Sequence, residues 1–189
     1  MIRLLSKWAA KQIKNGVRPA TTLPYSFPAL TAEQATLLVN RPYSIKLDKR
    51  LGNPVPESLA SGWKSEYLML NGEWIAGADL DFLKNSFYSL PFSQSIKRVG
   101  LMCLEPNGWI TVHSDLPVCQ QIAIPLVQDD GFHFAWEDWG EEHLLTYSVN
   151  IIDIGRRHTV WNTGDRRIYL NCLVDTWDTG ESLNQYLYN

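Results

Sequence analysis

His113 and Asp115 close an apolar run, WITVHSD (109–115), at positions where an ordinary strand would carry aliphatic residues. Strand neighbours two apart project to the same side, so this spacing aims an imidazole and a carboxylate at one place. His158 heads a second apolar run, HTVWN, 43 residues after Asp115. That is enough chain to leave one end of a small barrel and return to it. Two neutral imidazoles and one carboxylate are the donor set of mononuclear iron(II) sites, which keep three coordination positions open. His-x-Asp alone is a short pattern, and a strand-end histidine hydrogen-bonded to a nearby aspartate fits it equally.

Arg167 follows His158 by nine residues and opens the run RIYLNCLV. Alternation places Arg167, Tyr169 and Asn171 on one face and Ile168, Leu170 and Cys172 on the other. An arginine turned into a pocket binds a carboxylate through two parallel hydrogen bonds. A dicarboxylate such as 2-oxoglutarate would chelate the metal at one end and meet Arg167 at the other. The same alternation sends Arg166 to the opposite side, into solvent.

These residues need a rigid β scaffold. From residue 96 the chain reads as about eight short strands: KRVGLMCLE, WITVHS, QQIAIPLV, FHFAW, HLLTYS, VNIIDI, HTVWN and RIYLNCLVDTW. Pro106-Asn107-Gly108 reads as a turn between the first two strands. Asp130-Gly131 is a hairpin signal, and EDWGEE an acidic loop. Eight short strands without intervening helices predict a mostly β fold, a double-stranded β-helix of the cupin-like jelly-roll type. Before residue 95, prolines and scattered helix signals predict helical and irregular flanking structure. Thr31 and Gln34 have capping-box spacing ahead of ATLLV, and a second helix falls within 80–88. The organisation expected is one domain over 1–189, with 1–95 flanking and 96–178 as the jelly-roll core. The basic, amphipathic start, MIRLLSKWAAKQIKNGVRP, reads as a helix docked on the domain.

The pieces GLMCLEPNGWITVHSD, IPL and DIGRRHTVWNTGDRRIYL, ending in LVD, occur in an order and spacing that resemble the aspartyl/asparaginyl β-hydroxylase family of Fe(II)/2-oxoglutarate oxygenases, its short bacterial members above all. The resemblance covers a little under half of the chain. It implies His113, Asp115 and His158 as iron ligands and Arg167 as the site for the distal carboxylate of 2-oxoglutarate. It further implies an enzyme that hydroxylates an amino-acid side chain, in a peptide or protein or in a free amino acid such as proline, with succinate and CO2 as co-products. Where many relatives carry a basic R-x-H before I-P-L, this chain has Gln121 and Ala123. Gln121 can still hydrogen-bond a carboxylate; Ala123 cannot. The alternative is a non-catalytic cupin-like module whose metal is structural or absent. A zinc hydrolase on the same ligands would want a nearby general base, which the sequence does not offer.

The remaining signals are bland. A net charge of −3 and a pI near 5.8 give no electrostatic footprint for nucleic acid. Cys103, Cys119 and Cys172 form an odd, unclustered set, which points to core thiols and a cytoplasmic, reducing location. No apolar run reaches membrane-spanning length. His133 in FHFAW reads as a hydrogen-bonded strand histidine and His143 as a surface one. Asp153 could either buttress a ligand histidine or cap a turn. Trp109 falls on the His113 face by alternation, and it and Trp161 could line a pocket or simply pack.

Overall fold

A computed structural model describes residues 16, 18–45, 59–115, 120–127 and 132–174. In chain order its elements are β1 (Ala20–Ser26), α1 (Ala32–Asn40), β2 (Ser44–Ile45), β3 (Ala60–Leu70), β4 (Glu73–Trp74), α2 (Asp81–Tyr88), β5 (Ile96–His113), β6 (Gln120–Val127), β7 (Phe132–Trp136), β8 (Gly140–Glu142), β9 (Ser148–Asp153), β10 (His158–Asn162) and β11 (Arg167–Val174). The basic N-terminal stretch, Cys119 and Asp130-Gly131 lie outside the described residues.

The organising unit is an antiparallel ribbon. The first half of β5 pairs with β11, and its second half pairs with β10, so β10 and β11 follow one another along the same edge. A second ribbon forms from β6 with β9 and from β7 with β8. The ribbons join because β6 also pairs with β11 and β7 with β10. The outcome is two sheets, β9-β6-β11-β5 and β5-β10-β7-β8, spanned by the single long strand β5. This is the double-stranded β-helix expected from the strand pattern.

Two apolar clusters separate the faces. Val99, Leu101, Cys103, Ile122, Ile124, Ile168, Leu170 and Cys172 face outward from the first sheet and pack under Leu38 of α1 and Leu83 and Phe87 of α2. Met102, Leu104, Ile110, Ala123, Phe134, Trp136, Ile152, Val160 and Tyr169 line the barrel interior. Thr31 caps α1 as its spacing predicts: its hydroxyl accepts from the Gln34 amide at 3.2 Å, and the Gln34 side chain accepts from the Thr31 amide at 2.9 Å.

Several local expectations change. Pro106-Asn107-Gly108 does not divide two strands: β5 passes through it as a bulge, with Asn107 at φ 59°. The reason is β3, which pairs with β5 on both sides of that segment, Trp63 opposite Leu104 and Ser61 opposite Trp109. β6 and β7 are not paired with each other; β7 instead forms a hairpin with β8, closed by the acidic segment. HLLTYS contributes no strand before Ser148. Within 1–95, β1 adds to the sheet edge at β9 and the eleven-residue β3 to β5. Turn-like residues around them mask their alternation in the sequence.

Arg166 is not in solvent. It forks onto Glu105, at 2.7 Å and 2.9 Å, and donates to the Val39 carbonyl at the end of α1. Lys64 meets the same carboxylate at 2.7 Å. Partial burial pushes the Glu105 carboxyl up, but the hydrogen bonds from Lys64 and Arg166 outweigh it and hold the group below its usual value. A branched ion cluster thus fastens the N-terminal elements to the barrel.

The bulge allows no side chain at Gly108, where a Cβ would stand 2.8 Å from the Glu105 carbonyl and 3.0 Å from that of Ser61. Gly108→Ala is expected to lose about 2 kcal/mol, a fall in Tm of roughly 4–8 °C, measured by thermal denaturation.

Candidate metal centre

Register alone brings His113 opposite His158. Between the pairs Ile110–Val160 and His113–His158, β5 spends three residues where β10 spends two, so one residue of β5 is extra. The bulge reverses the alternation there. Ile110 and His113 both turn inward, and Trp109 does not share the His113 face. Trp161 also faces out, stacked on His133 with ring centroids 4.8 Å apart and planes 10° apart. His133 Nδ1 bonds Glu141, in keeping with a hydrogen-bonded strand histidine, and His143 is exposed.

Ligand atoms of His113, Asp115 and His158 lie within 4.8 Å of one another, and among the described residues no other group of three or more His, Cys, Asp or Glu side chains does so. The two imidazole centroids are 4.3 Å apart. Each ring is oriented by its own strand. His113 Nδ1 donates to the Thr111 carbonyl at 2.7 Å, and His158 Nδ1 to that of Arg156 at 2.9 Å. Two such bonds select the tautomer whose Nε2 carries a free lone pair. His113 Nε2 and Asp115 Oδ1 are 3.6 Å apart, too far for a hydrogen bond. Two ligands at right angles on a single ion with bonds near 2.1 Å sit about 3 Å apart, so a small closure suffices.

His158 is 3% exposed. Burial, reinforced by the neighbouring His113, pushes its pKa down to about 4 and keeps the ring neutral. Phe134 stacks on it, centroids 5.3 Å apart and planes 9° apart. The Asp115 side chain is 46% exposed at the mouth, and its amide donates to the Ile154 carbonyl at 2.8 Å.

The segment before His158 is locked in place. Asp153 Oδ1 accepts from the Gly155 and Arg156 amides at 3.1 and 3.2 Å. It therefore caps the turn and supports His158 only through the Arg156 carbonyl. The Arg156 guanidinium, buried, is gripped by Asp138 at 2.8 Å. The Arg156–Asp138 grip and the Phe134 stack were not anticipated from the sequence. An acidic hairpin tip facing an arginine two residues before a candidate ligand was the signal for the first.

Arg167 is 1% exposed on the inner face. Tyr169, next on that face, has its phenol pushed well up by burial, with Arg167 lowering and Asp115 raising it. Exposure increases along this face from Arg167 through Tyr169 to Asn171, which is half-buried, so Arg167 marks the floor and Asn171 the mouth. Gln121, 5% exposed, pairs with Ile152 on the inner face of β6, two residues from Ala123. Cys103 and Cys172 are buried free thiols, and burial pushes Cys103 up to about 12. No helix among the described residues is long and apolar enough to cross a membrane.

Neither a protein-family model nor a curated protein sequence matches this chain. Solved structures do. An oxidoreductase of the 2OG-Fe(II) oxygenase family from Burkholderia pseudomallei matches with TM-score 0.56 at 15% identity, covering 90% of this chain and 91% of its own. A Trichoplax adhaerens prolyl hydroxylase, in complex with a hypoxia-inducible-factor peptide, gives TM-score 0.57 at 13% identity over 96% and 94%. A prolyl-4-hydroxylase from Pseudomonas putida gives 0.51 at 14% over 91% and 97%. At these identities the likeness establishes a shared fold.

Burial pushes the Asp153 carboxyl up to about 6, against weaker lowering by its backbone donors. A raised carboxyl favours folding below its unfolded pKa near 4, and that contribution is lost as pH rises through about 6. Asp153→Asn keeps the acceptor without the buried charge, so it is expected to match or exceed the parent's stability at pH 7.5. Its advantage should shrink as pH falls from 6 to 4. Asp153→Ala strands two amides and should lose about 1–3 kcal/mol. Urea denaturation at the two pH limits reads both outcomes.

Proposed function

We propose that this protein is an Fe(II)/2-oxoglutarate-dependent dioxygenase that hydroxylates an amino-acid side chain, within a peptide of the aspartyl/asparaginyl type or in a free amino acid such as proline. The observation that carries the reading is the convergence of His113, Asp115 and His158 with both Nδ1 atoms already tied to backbone carbonyls. A histidine that merely met its aspartate would spend its Nε2 on it, and His113 does not.

The donor set fits iron(II): two neutral nitrogens, one carboxylate, and an open side toward the barrel mouth. His113, Asp115 and His158 would hold the ion, which when bound would supply the coupling of O2 reduction to two oxidations, one oxygen atom going to 2-oxoglutarate as it decarboxylates to succinate and CO2 and the other to the substrate C–H as a hydroxyl. The remaining work belongs to the protein. Arg167 on the floor would bind the distal carboxylate, and its burial removes competing water. Tyr169 walls the channel between the floor and the metal ligands. Gln121, on the inner face nearer the mouth, would hydrogen-bond the co-substrate's other end. Phe134, Met102, Leu104 and Ile110 keep the interior apolar. The likeness to prolyl hydroxylases supports the reading at the level of fold, and the motif spacing supports the aspartyl/asparaginyl-type branch. The buried free thiols accord with a cytoplasmic setting.

Anaerobic Fe(II) loading followed by 2-oxoglutarate titration should produce a weak visible charge-transfer band that is lost in His113→Ala. Arg167→Gln should keep the iron yet weaken 2-oxoglutarate binding roughly 10- to 100-fold, the worth of about 1.5–3 kcal/mol for a charged hydrogen bond. Unchanged affinity in that variant removes Arg167 from the co-substrate site. Metal binding without any 2-oxoglutarate response favours the non-catalytic cupin-like module.

A further inference from the structure

The inner face of the first sheet holds two polar groups that neither the metal nor the co-substrate uses. Arg98 lies on the same face of β5 as Gly100 and Met102, at the mouth, opposite Leu173 of β11. It is half-buried, and it has no ion pair or hydrogen bond among the described residues. The contrast with its fellows is sharp. Arg18, Arg41, Arg156, Arg157 and Arg166 are each held by a carboxylate.

Asn171 is the diagonal neighbour of Arg98, since Gly100 is its partner in the register. Diagonal positions on one face stand about 7–8 Å apart. Asn171 Oδ1 is buried and has no hydrogen-bond partner among the described residues. In the same row, across Ala123, Asn150 shows what a structural amide looks like. Its Oδ1 accepts from Thr22 at 2.8 Å, and its Nδ2 donates to Ser148. A buried acceptor left without a donor is costly. 2-Oxoglutarate cannot supply that donor, because the dianion carries only acceptor oxygens. A molecule that brings an N–H or O–H into the barrel would answer it.

We propose that Arg98 and Asn171 form the primary-substrate subsite and that the substrate is a free α-amino or α-imino acid, its carboxylate on Arg98 and its N–H on Asn171. This rests on the dioxygenase reading and narrows it. Gly100 puts no side chain between the two residues, and the Met102 methyl lies only 3.0 Å from where a Cβ of residue 100 would stand. Its thioether forms an apolar floor against which the carbon skeleton rests. An internal residue of a peptide has no free carboxylate and leaves Arg98 unanswered.

The test uses full-length protein loaded with Mn(II) and 2-oxoglutarate, which binds but does not turn over. Free L-amino acids including proline, their primary amides and short peptides carrying the same residues internally are titrated calorimetrically. At least one free acid should bind, at least tenfold more tightly than its amide. Arg98→Gln should erase that acid-over-amide preference while leaving 2-oxoglutarate affinity and Tm unchanged. Arg98→Lys should restore part of it. Asn171→Leu should weaken the acid at least fivefold, whereas Asn171→Asp, which keeps the acceptor, should not. The subsite is overturned if amide or internal peptide binds as tightly as the acid, if no free acid binds, or if Arg98→Gln leaves the ratio intact. Repeating the titrations without Mn(II) and 2-oxoglutarate separates the two readings. Failure to bind 2-oxoglutarate with acid preference retained sinks the dioxygenase reading alone.

Discussion

A single surplus residue in β5 between Ile110 and His113 governs this molecule. Without it, strict alternation would turn His113 outward with Trp109 and leave His158 facing an aliphatic wall. With it, two imidazoles meet from paired strands, and Asp115 follows two residues later at the strand's end. Pairing fixes the rest: β10 must run along β5 for His158 to arrive, and β11 must continue that edge for Arg167 to land on the floor. The proposed ligand His158 and the proposed clamp Arg167 are therefore positioned by one continuous hydrogen-bonded ladder, which is stiffer than any loop.

The centre also depends on keeping His158 neutral while its ring lies 4.3 Å from that of His113. Two cations at that distance in a buried setting would repel strongly. Burial removes the charged form of His158, and the paired Nδ1–carbonyl bonds settle which nitrogen faces the cavity. The carbonyl that holds His158 belongs to Arg156, whose own position is fixed by Asp138 from the β7–β8 turn and by the Asp153 cap. Strands of both sheets thus converge on one ring. The arrangement spends a buried arginine and a desolvated carboxylate on fixing the segment that leads into His158.

Much of this was legible in the residue pattern. Strand periodicity after residue 95 gave the jelly roll, and alternation in RIYLNCLV put Arg167, Tyr169 and Asn171 on one face. The misjudged features share a cause: they depend on which strands pair, and pairing is not local. Alternation puts Trp109 on the His113 face, and the bulge between Ile110 and His113 reverses it. Arg166 looked solvent-facing because nothing in RRIYL reveals Glu105 across the ladder. Asp130-Gly131 has hairpin chemistry, yet its flanking strands find other partners. β1 and β3 are short of apolar alternation because each is an outer strand with one weakly covered face.

The inner and outer faces of β11 show how the barrel reconciles stability with a polar interior. Ile168, Leu170 and Cys172 lie in the larger apolar cluster beneath α1 and α2, each fully buried. Arg167, Tyr169 and Asn171 alternate with them and contribute far less to packing. Period-two alternation lets one strand serve both demands, because a substitution on one face leaves the other in register. The apolar face fixes the strand in place, so the polar face is free to hold a guanidinium and an unsatisfied carbonyl that a globular core would reject. Among the described residues the buried Asn171 acceptor on this anchored strand meets no donor, and Arg98, diagonal to it on β5, meets no carboxylate, which is the pair of vacancies the proposed substrate subsite requires.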